Sequence, residues 1–359
     1  MTDSGKLPVA VIGVGGFGRY TLAALAASEL VKVVGLADKN PEAAAGAGKE
    51  FQVPVYTDNR ALLAQAKPAA VYMAVPPAAA GELVSLCTKR KIHIWKELPL
   101  ARNLDEGFAF VRQAEQAGVK LAVGTQRRFA SGYRRAWEQR LRLGQMFLAR
   151  SHYLFNWGPD LKWRGDKASA GGGALMELGY HPIDLLVWML GLPDEVYGLS
   201  TCGKKAPPVA PGEKSHPIYD TDDTAAAILR YNSGLMATVV TTRASGPVSE
   251  EVSLHGRGGS IVARSESCVL RDPDGNVLDN VSDEVAPLAT FRRQVEAFAQ
   301  AVAGGAAKYE CSARENLLNL AVLEAIYLSD RTAQPESPLR RLKTHDIDPQ
   351  ECLACRPLE

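Results

Sequence analysis

The stretch from Val9 to Tyr20 reads VAVIGVGGFGRY: four apolar residues, then Gly13-Val14-Gly15-Gly16-Phe17-Gly18, then an alanine- and leucine-rich run. An apolar strand that ends in G-x-G-x-x-G and opens into a helix is the context in which those glycines bind a dinucleotide. Gly13 permits the tight turn, Gly15 lets a pyrophosphate approach the backbone, and Gly18 allows the helix to pack on the strand. Gly16 and Phe17 complete the cradle, whose free N–H groups at the helix start face the phosphates. Asp38 agrees with this reading, because it closes the next apolar run twenty residues after Gly18. A carboxylate there accepts hydrogen bonds from ribose hydroxyls and repels a 2′-phosphate, so the expected cofactor is NAD. Lys39 beside it has an ammonium able to reach a 2′-phosphate and keeps NADP open.

Outward from this turn, apolar runs alternate with helical patterns: Val9 to Val14, Val31 to Ala37, Ala70 to Val75, Ile92 to Trp95 and Leu121 to Val123. That grammar implies βαβ units and a doubly wound parallel sheet, a Rossmann domain over residues 1–124. The helix after the turn is expected over Tyr20 to Leu30. After about Arg128, strand follows strand with turn signals between them, as at Asn232-Ser233-Gly234 and Asp272-Pro273-Asp274-Gly275. A large, open, mostly antiparallel sheet is expected in an α+β domain over 125–335, with helical periodicity returning at Phe291 to Ala303 and Arg314 to Leu328. Gly203 to Pro217 reads as an exposed loop and residues 336–359 as an irregular tail.

Composition narrows the function class. Of 359 residues 46% are hydrophobic and 23% charged, and 41 basic residues stand against 40 acidic ones. This is a globular chain with no electrostatic footprint for nucleic acid or an anionic membrane, and a small-molecule partner is expected. The start shows neither a basic n-region nor a long apolar h-region, and no run reaches the roughly 20 apolar residues of a membrane helix. A cytoplasmic protein is expected. Cysteines 87, 202, 268, 311, 352 and 355 are scattered and read as reduced thiols. Cys352 and Cys355, with His345 nearby, make half a zinc site at most, so no metal is expected.

Two stretches carry candidate chemistry. Gly171-Gly172-Gly173-Ala-Leu-Met-Glu177-Leu-Gly-Tyr-His181-Pro182-Ile-Asp184 puts acid, imidazole and acid at helical spacing after what reads as a flexible triple glycine. Pro182 is expected to kink or restart the helix near His181. An imidazole is the natural base for a hydroxyl proton while hydride leaves the same carbon, and a neighbouring carboxylate orients its ring. The second stretch is HIWKELPLA, His93 to Ala101, at the end of a strand.

Together these motifs resemble the glucose-fructose oxidoreductase and inositol dehydrogenase (Gfo/Idh/MocA) family over about residues 7 to 330. The resemblance implies a Rossmann domain, a second domain whose open sheet builds a homodimer or homotetramer, and NAD(P)-linked oxidation of a sugar or polyol hydroxyl. It makes His181 the catalytic acid or base, Glu177 and Asp184 its supports and substrate ligands, and Pro76 and Glu97 cofactor contacts. Arg128, in Gln126-Arg127-Arg128-Phe129, and Trp163 and Arg164 are candidate substrate groups.

Three departures matter. The family's strand ends in E-K-P, whereas this chain has Leu98 between Glu97 and Pro99. Lys96 lies two residues earlier on the same strand face, so it either delivers its ammonium to the same spot or is a solvated charge at the strand end. Glu177 stands where the family more often has Asp, and Ala80 where relatives commonly carry a histidine. Two rival readings follow: a redox-neutral sugar-processing enzyme that uses NAD transiently, and an NAD-binding sensor or repressor whose chemistry has decayed.

Overall fold

The computed structural model describes residues 5–203, 219–283, 287–305 and 308–354. The loop expected over Gly203 to Pro217 lies almost wholly outside them. The chain forms two compact units. One holds Met1–Leu100, Phe108–Phe129 and Val285–Ala313, the other Ala101–Gly107, Ala130–Glu284 and Arg314–Glu359.

In the first unit, β1 (Leu7–Ile12), β2 (Val31–Ala37), β3 (Ala70–Met73), β4 (His93–Lys96) and β5 (Leu121–Val123) form a parallel sheet in the order β2-β1-β3-β4-β5. The order reverses between β1 and β3, the switch point at which such sheets open a crevice beyond their carboxyl ends. The helix after the glycine turn is Phe17–Ala26, starting and ending earlier than the alanine pattern implies. Helix Pro287–Gly304 returns to this unit, since Phe291, Val295 and Phe298 join Val9, Leu22, Leu36 and Trp95 in one core. The outer edge of β5 is closed by the chain that follows. Val123 N donates to Cys311 O, and the Tyr309 hydroxyl accepts from Leu121 N and donates to Leu121 O. No bare edge is left there to pair with another chain.

The second unit carries β6 (Met146–Asn156), β7 (Glu195–Thr201), β8 (Thr224–Arg230), β9 (Met236–Thr242), β10 (Ala244–Gly256), β11 (Gly259–Ala263), β12 (Ser267–Arg271) and β13 (Val277–Ser282). They form one sheet in the order β13-β12-β11-β10-β6-β9-β8-β7, antiparallel except for the β6–β9 pair. Helix Ala313–Thr332 packs on it closely enough that a Cβ on Gly198 of β7 would fall 2.4 Å from the Ile326 side chain.

Over its described residues, 336–354, the tail is not irregular. Pro338–Lys343 and Pro349–Cys352 are helices with proline at the first position, where a missing N–H costs nothing, and the Asp348 carboxylate caps the second. Leu342, Ile347 and Cys352 are buried.

Candidate active site

The glycines of the turn differ in what they answer to. Gly13 has φ +90°, and a Cβ there would lie 2.3 Å from the Ala74 carbonyl oxygen; one on Gly18 would lie 2.3 Å from Gly13 O. Those two are required by the protein's own packing. A Cβ added to Gly15 would meet no protein atom within 4 Å, so open space adjoins the backbone where a pyrophosphate would lie. Asp38 reaches across from the end of β2. Its Oδ2 accepts Val14 N and its Oδ1 accepts Asn40 N, both at 2.8 Å, leaving a lone pair on each oxygen for ribose hydroxyls. Lys39 and Phe17 are exposed, and Pro76 follows β3 and precedes helix Pro77–Lys89. The turn, its open side and the carboxylate fit a dinucleotide.

Lys96 meets neither expectation. It is only 2% exposed, and its Nζ donates to Glu97 O at 2.7 Å and to Pro99 O. A buried ammonium needs such acceptors, and it finds them in the turn that follows its own strand. Its charge therefore holds the E-L-P segment in shape, and half-buried Leu98 occupies the family lysine's place.

Glu97 is bound more tightly than its motif position reveals. Tyr72 on the neighbouring strand donates its hydroxyl to Glu97 Oε1 at 2.6 Å. Burial raises the Glu97 carboxyl from 4.5 to about 7, against the opposing pull of the Tyr72 hydrogen bond and the Lys96 charge. Between those values the unfolded chain has released a proton that the folded chain still holds. The Glu97 contribution to stability is thus fully present below 4.5 and lost as pH rises to about 7. Glu97→Gln is expected to flatten that fall by up to about 3 kcal/mol, read from urea unfolding at the two ends of the window; an unchanged pH dependence would contradict the assignment.

In the second unit the triple glycine is packed, not flexible. Gly171, at φ +85°, lies against Arg102, and a Cβ on Gly173 would fall 2.0 Å from Asp222 O. The Asp222 carboxylate accepts Gly173 N and Leu175 N, each at 2.8 Å, and the Tyr327 hydroxyl at 2.7 Å. Asp222 thereby fixes the start of helix Ala174–Glu177. The helix restarts as Tyr180–Leu190, with Pro182 in its first turn, where its absent N–H and fixed φ are tolerated.

His181 stands in that first turn, 9% exposed, with the Tyr153 ring of β6 edge-on at 5.6 Å. Asp184 is 1% exposed and accepts from Asn319 Nδ2 at 2.8 Å; Asn319 in turn donates to Asn316, which also accepts the Tyr180 hydroxyl. That chain anchors the His181 helix to Ala313–Thr332. Buried so deeply, Asp184 supports the histidine helix and has no face to offer a substrate hydroxyl.

Glu177 Oε1 accepts from Arg164 Nε at 2.6 Å, and the Arg164 guanidinium lies 4.2 Å from the Trp157 ring centre and 4.3 Å from that of Trp163. Burial raises the Glu177 carboxyl; the charges of Arg164 and Arg243 oppose it. Arg243, 1% exposed, pairs with Asp223 at 3.1 Å and donates to Arg164 O at 3.1 Å, so a buried base holds the half-buried one in place. Trp163, Arg164 and Glu177 are thus brought together. Arg128 belongs to the first unit and is fully buried in the turn Gln126–Phe129. Tyr72, Tyr153, Asp222, Arg243 and Asn319 carry no motif and escape a reading of the sequence. Only the acidic pair Asp222-Asp223, just before β8, leaves a signal.

Both halves of the chain resemble known proteins. The family profile described as "Oxidoreductase family, NAD-binding Rossmann fold" (GFO_IDH_MocA) matches residues 7–125, and the profile "GFO/IDH/MocA C-terminal domain" matches residues 134–262. The chain is 27% identical to a D-xylose 1-dehydrogenase (NADP(+)) of Haloferax volcanii over 90% of its own length and 97% of that protein's. It is 28% identical to a levoglucosan dehydrogenase of Pseudarthrobacter phenanthrenivorans over 64% of each. A levoglucosan dehydrogenase structure in complex with NADH and levoglucosan has the same fold, with a TM-score of 0.84 at 22% identity, covering 92% of this chain and 99% of the other. With both halves matched in order and the dinucleotide turn in place, the chain belongs to the GFO/IDH/MocA family of NAD(P)-dependent oxidoreductases.

Proposed function

We propose that this oxidoreductase oxidises a hydroxyl of a sugar or polyol, with His181 as the base that takes the hydroxyl proton. The observation that carries the reading is the fixed segment from Gly171 to Asp184. Asp222 ties its backbone, Asn319 anchors its second acid, and an imidazole at the head of a helix is held within it. A module that only binds has little use for so much positioning. The bound nicotinamide supplies the hydride acceptor. Glu177, set by Arg164, accepts hydrogen bonds from substrate hydroxyls, and Trp157 and Trp163 offer flat apolar faces of the kind sugar rings stack on. Lys96 and Asp184 are positioning residues. The xylose and levoglucosan dehydrogenases among the relatives support a monosaccharide or anhydrosugar. Steady-state assays with pentoses, hexoses, anhydrosugars and polyols, each with NAD and NADP, are expected to yield reduced nicotinamide with one class and a preference for NAD through Asp38. Turnover restricted to non-carbohydrate alcohols would overturn the substrate class. Leu98 favours the sensor reading, which predicts sugar binding without turnover.

We also propose a homo-oligomer built on the large sheet. Its outer face is apolar, with Leu199 57% exposed, Ile228 46% and Val240 41%, on strands whose alternate residues are buried. A face of this kind on a soluble chain is covered by a partner, and a self-complementary sheet face fits a second copy. Light scattering is expected to give a dimer or tetramer, and Ile228→Lys with Leu199→Glu a monomer; a monomeric parent would contradict this. Among the described residues no helix is long and apolar enough to cross a membrane, and Cys87, Cys202, Cys268, Cys311 and Cys352 form no disulfide; reduced thiols of this kind support a cytoplasmic setting.

A further inference from the structure

A cavity of about 480 Å³ in the second unit is lined by Arg102, Lys167, Arg331 and Arg341, with Glu324 and Tyr327. Its volume lies within the range of small-molecule sites. Four cations face one carboxylate. Glu324 is already engaged: one oxygen pairs with Arg341 at 2.7 Å and the other accepts Leu104 N at 2.7 Å. Arg102 pairs with Glu106 at 2.9 Å and donates to Ala168 O at 3.0 Å. Lys167 and Arg331 are exposed and form no ion pair or side-chain hydrogen bond among the described residues. Two positive charges are therefore left uncompensated, at a concave surface that also presents guanidinium donors and a phenol ring.

We propose that this cavity binds a phosphoryl dianion, carried either by free phosphate or by a small phosphate ester. A phosphoryl group bears about −1.5 to −2 charge near neutrality, which matches the two uncompensated cations, and its oxygens suit guanidinium forks. The cavity also touches the catalytic segment. Gly171 lines it, and the Tyr327 hydroxyl donates to Asp222, whose carboxylate holds Gly173 N and Leu175 N. A ligand here is thus placed to steady the segment that carries His181.

The test is calorimetric titration of the full chain, with saturating NAD to fill the glycine turn, using inorganic phosphate, a hexose phosphate and malonate as probes. A phosphoryl probe is expected to bind more tightly than malonate, and Lys167→Ala with Arg331→Ala to weaken it by about tenfold or more. His181→Ala is expected to leave that affinity unchanged, which separates the cavity from the catalytic site. Hydrogen exchange of the Gly173 and Leu175 amides is expected to slow when the probe is bound. Stronger binding of the ester than of free phosphate identifies the ester as the source; equal binding identifies phosphate. The proposal is overturned if no phosphoryl probe binds at millimolar concentration, if malonate binds as well, if the double variant binds as the parent does, or if His181→Ala abolishes binding.

Discussion

His181→Ala is expected to lower kcat by about 10²- to 10⁴-fold, the usual contribution of a positioned general acid or base. NAD affinity should hold, because the glycine turn and the Asp38 carboxylate that would take the pyrophosphate and ribose are untouched by the change. The fold should hold as well, since the tie from Asp184 to Asn319 and the carboxylate bonds of Asp222 survive the change. Measuring kcat, NAD binding by fluorescence and thermal unfolding on one preparation separates these effects. Full activity in the variant would remove His181 from the mechanism. Lost NAD binding would give it a structural role.

Gly13→Ala and Gly15→Ala are expected to fail in opposite ways. At Gly13 the new methyl meets the Ala74 carbonyl at 2.3 Å in a backbone held at φ +90°, which should cost about 3 kcal/mol or more of stability. At Gly15 the methyl meets no protein atom, so Tm should stay near the parent's while NAD binding weakens by about tenfold or more. Differential scanning calorimetry with and without NAD reads both. A destabilised Gly15→Ala variant with normal NAD affinity would reverse the assignment of that glycine to the ligand.

The parallel sheet is legible in the sequence because each of its strands is a short, nearly continuous apolar run between helical patterns, as buried parallel strands must be. The strands β6, β7 and β13 are not. β6, MFLARSHYLFN, carries Arg150, Ser151 and His152 in mid-strand, because it lies at the centre of an open sheet with one half-exposed face. β7 contains Gly198, needed for the close approach of Ile326, and β13 is an exposed edge. The return of Pro287–Gly304 to the first unit is equally hidden, since periodicity reveals that a helix has an apolar face but not which core takes it. Within the site, the glycine turn, Asp38, Glu177 and His181 announce themselves by local spacing. Asp222, Arg243 and Asn319 act across 20 to 135 residues of chain, through hydrogen bonds that no local pattern encodes. Lys96 shows the converse error. Strand geometry places its side chain on the expected face, but its burial delivers the ammonium to the carbonyls of Glu97 and Pro99.

Hydride transfer from a sugar hydroxyl despite Leu98 is best read by single-turnover absorbance. Protein is mixed at a concentration equal to the substrate's, with excess NAD and each member of a sugar and polyol panel. Stoichiometric protein reports even a cofactor that never leaves. A burst of reduced nicotinamide is expected with at least one sugar and is expected to be absent in His181→Ala; a decay of that burst without net reduction would mark the redox-neutral reaction. Silence across the panel, with NAD and sugar binding both confirmed, would contradict hydride chemistry and leave a sensor whose activity ended with the loss of the lysine at position 98.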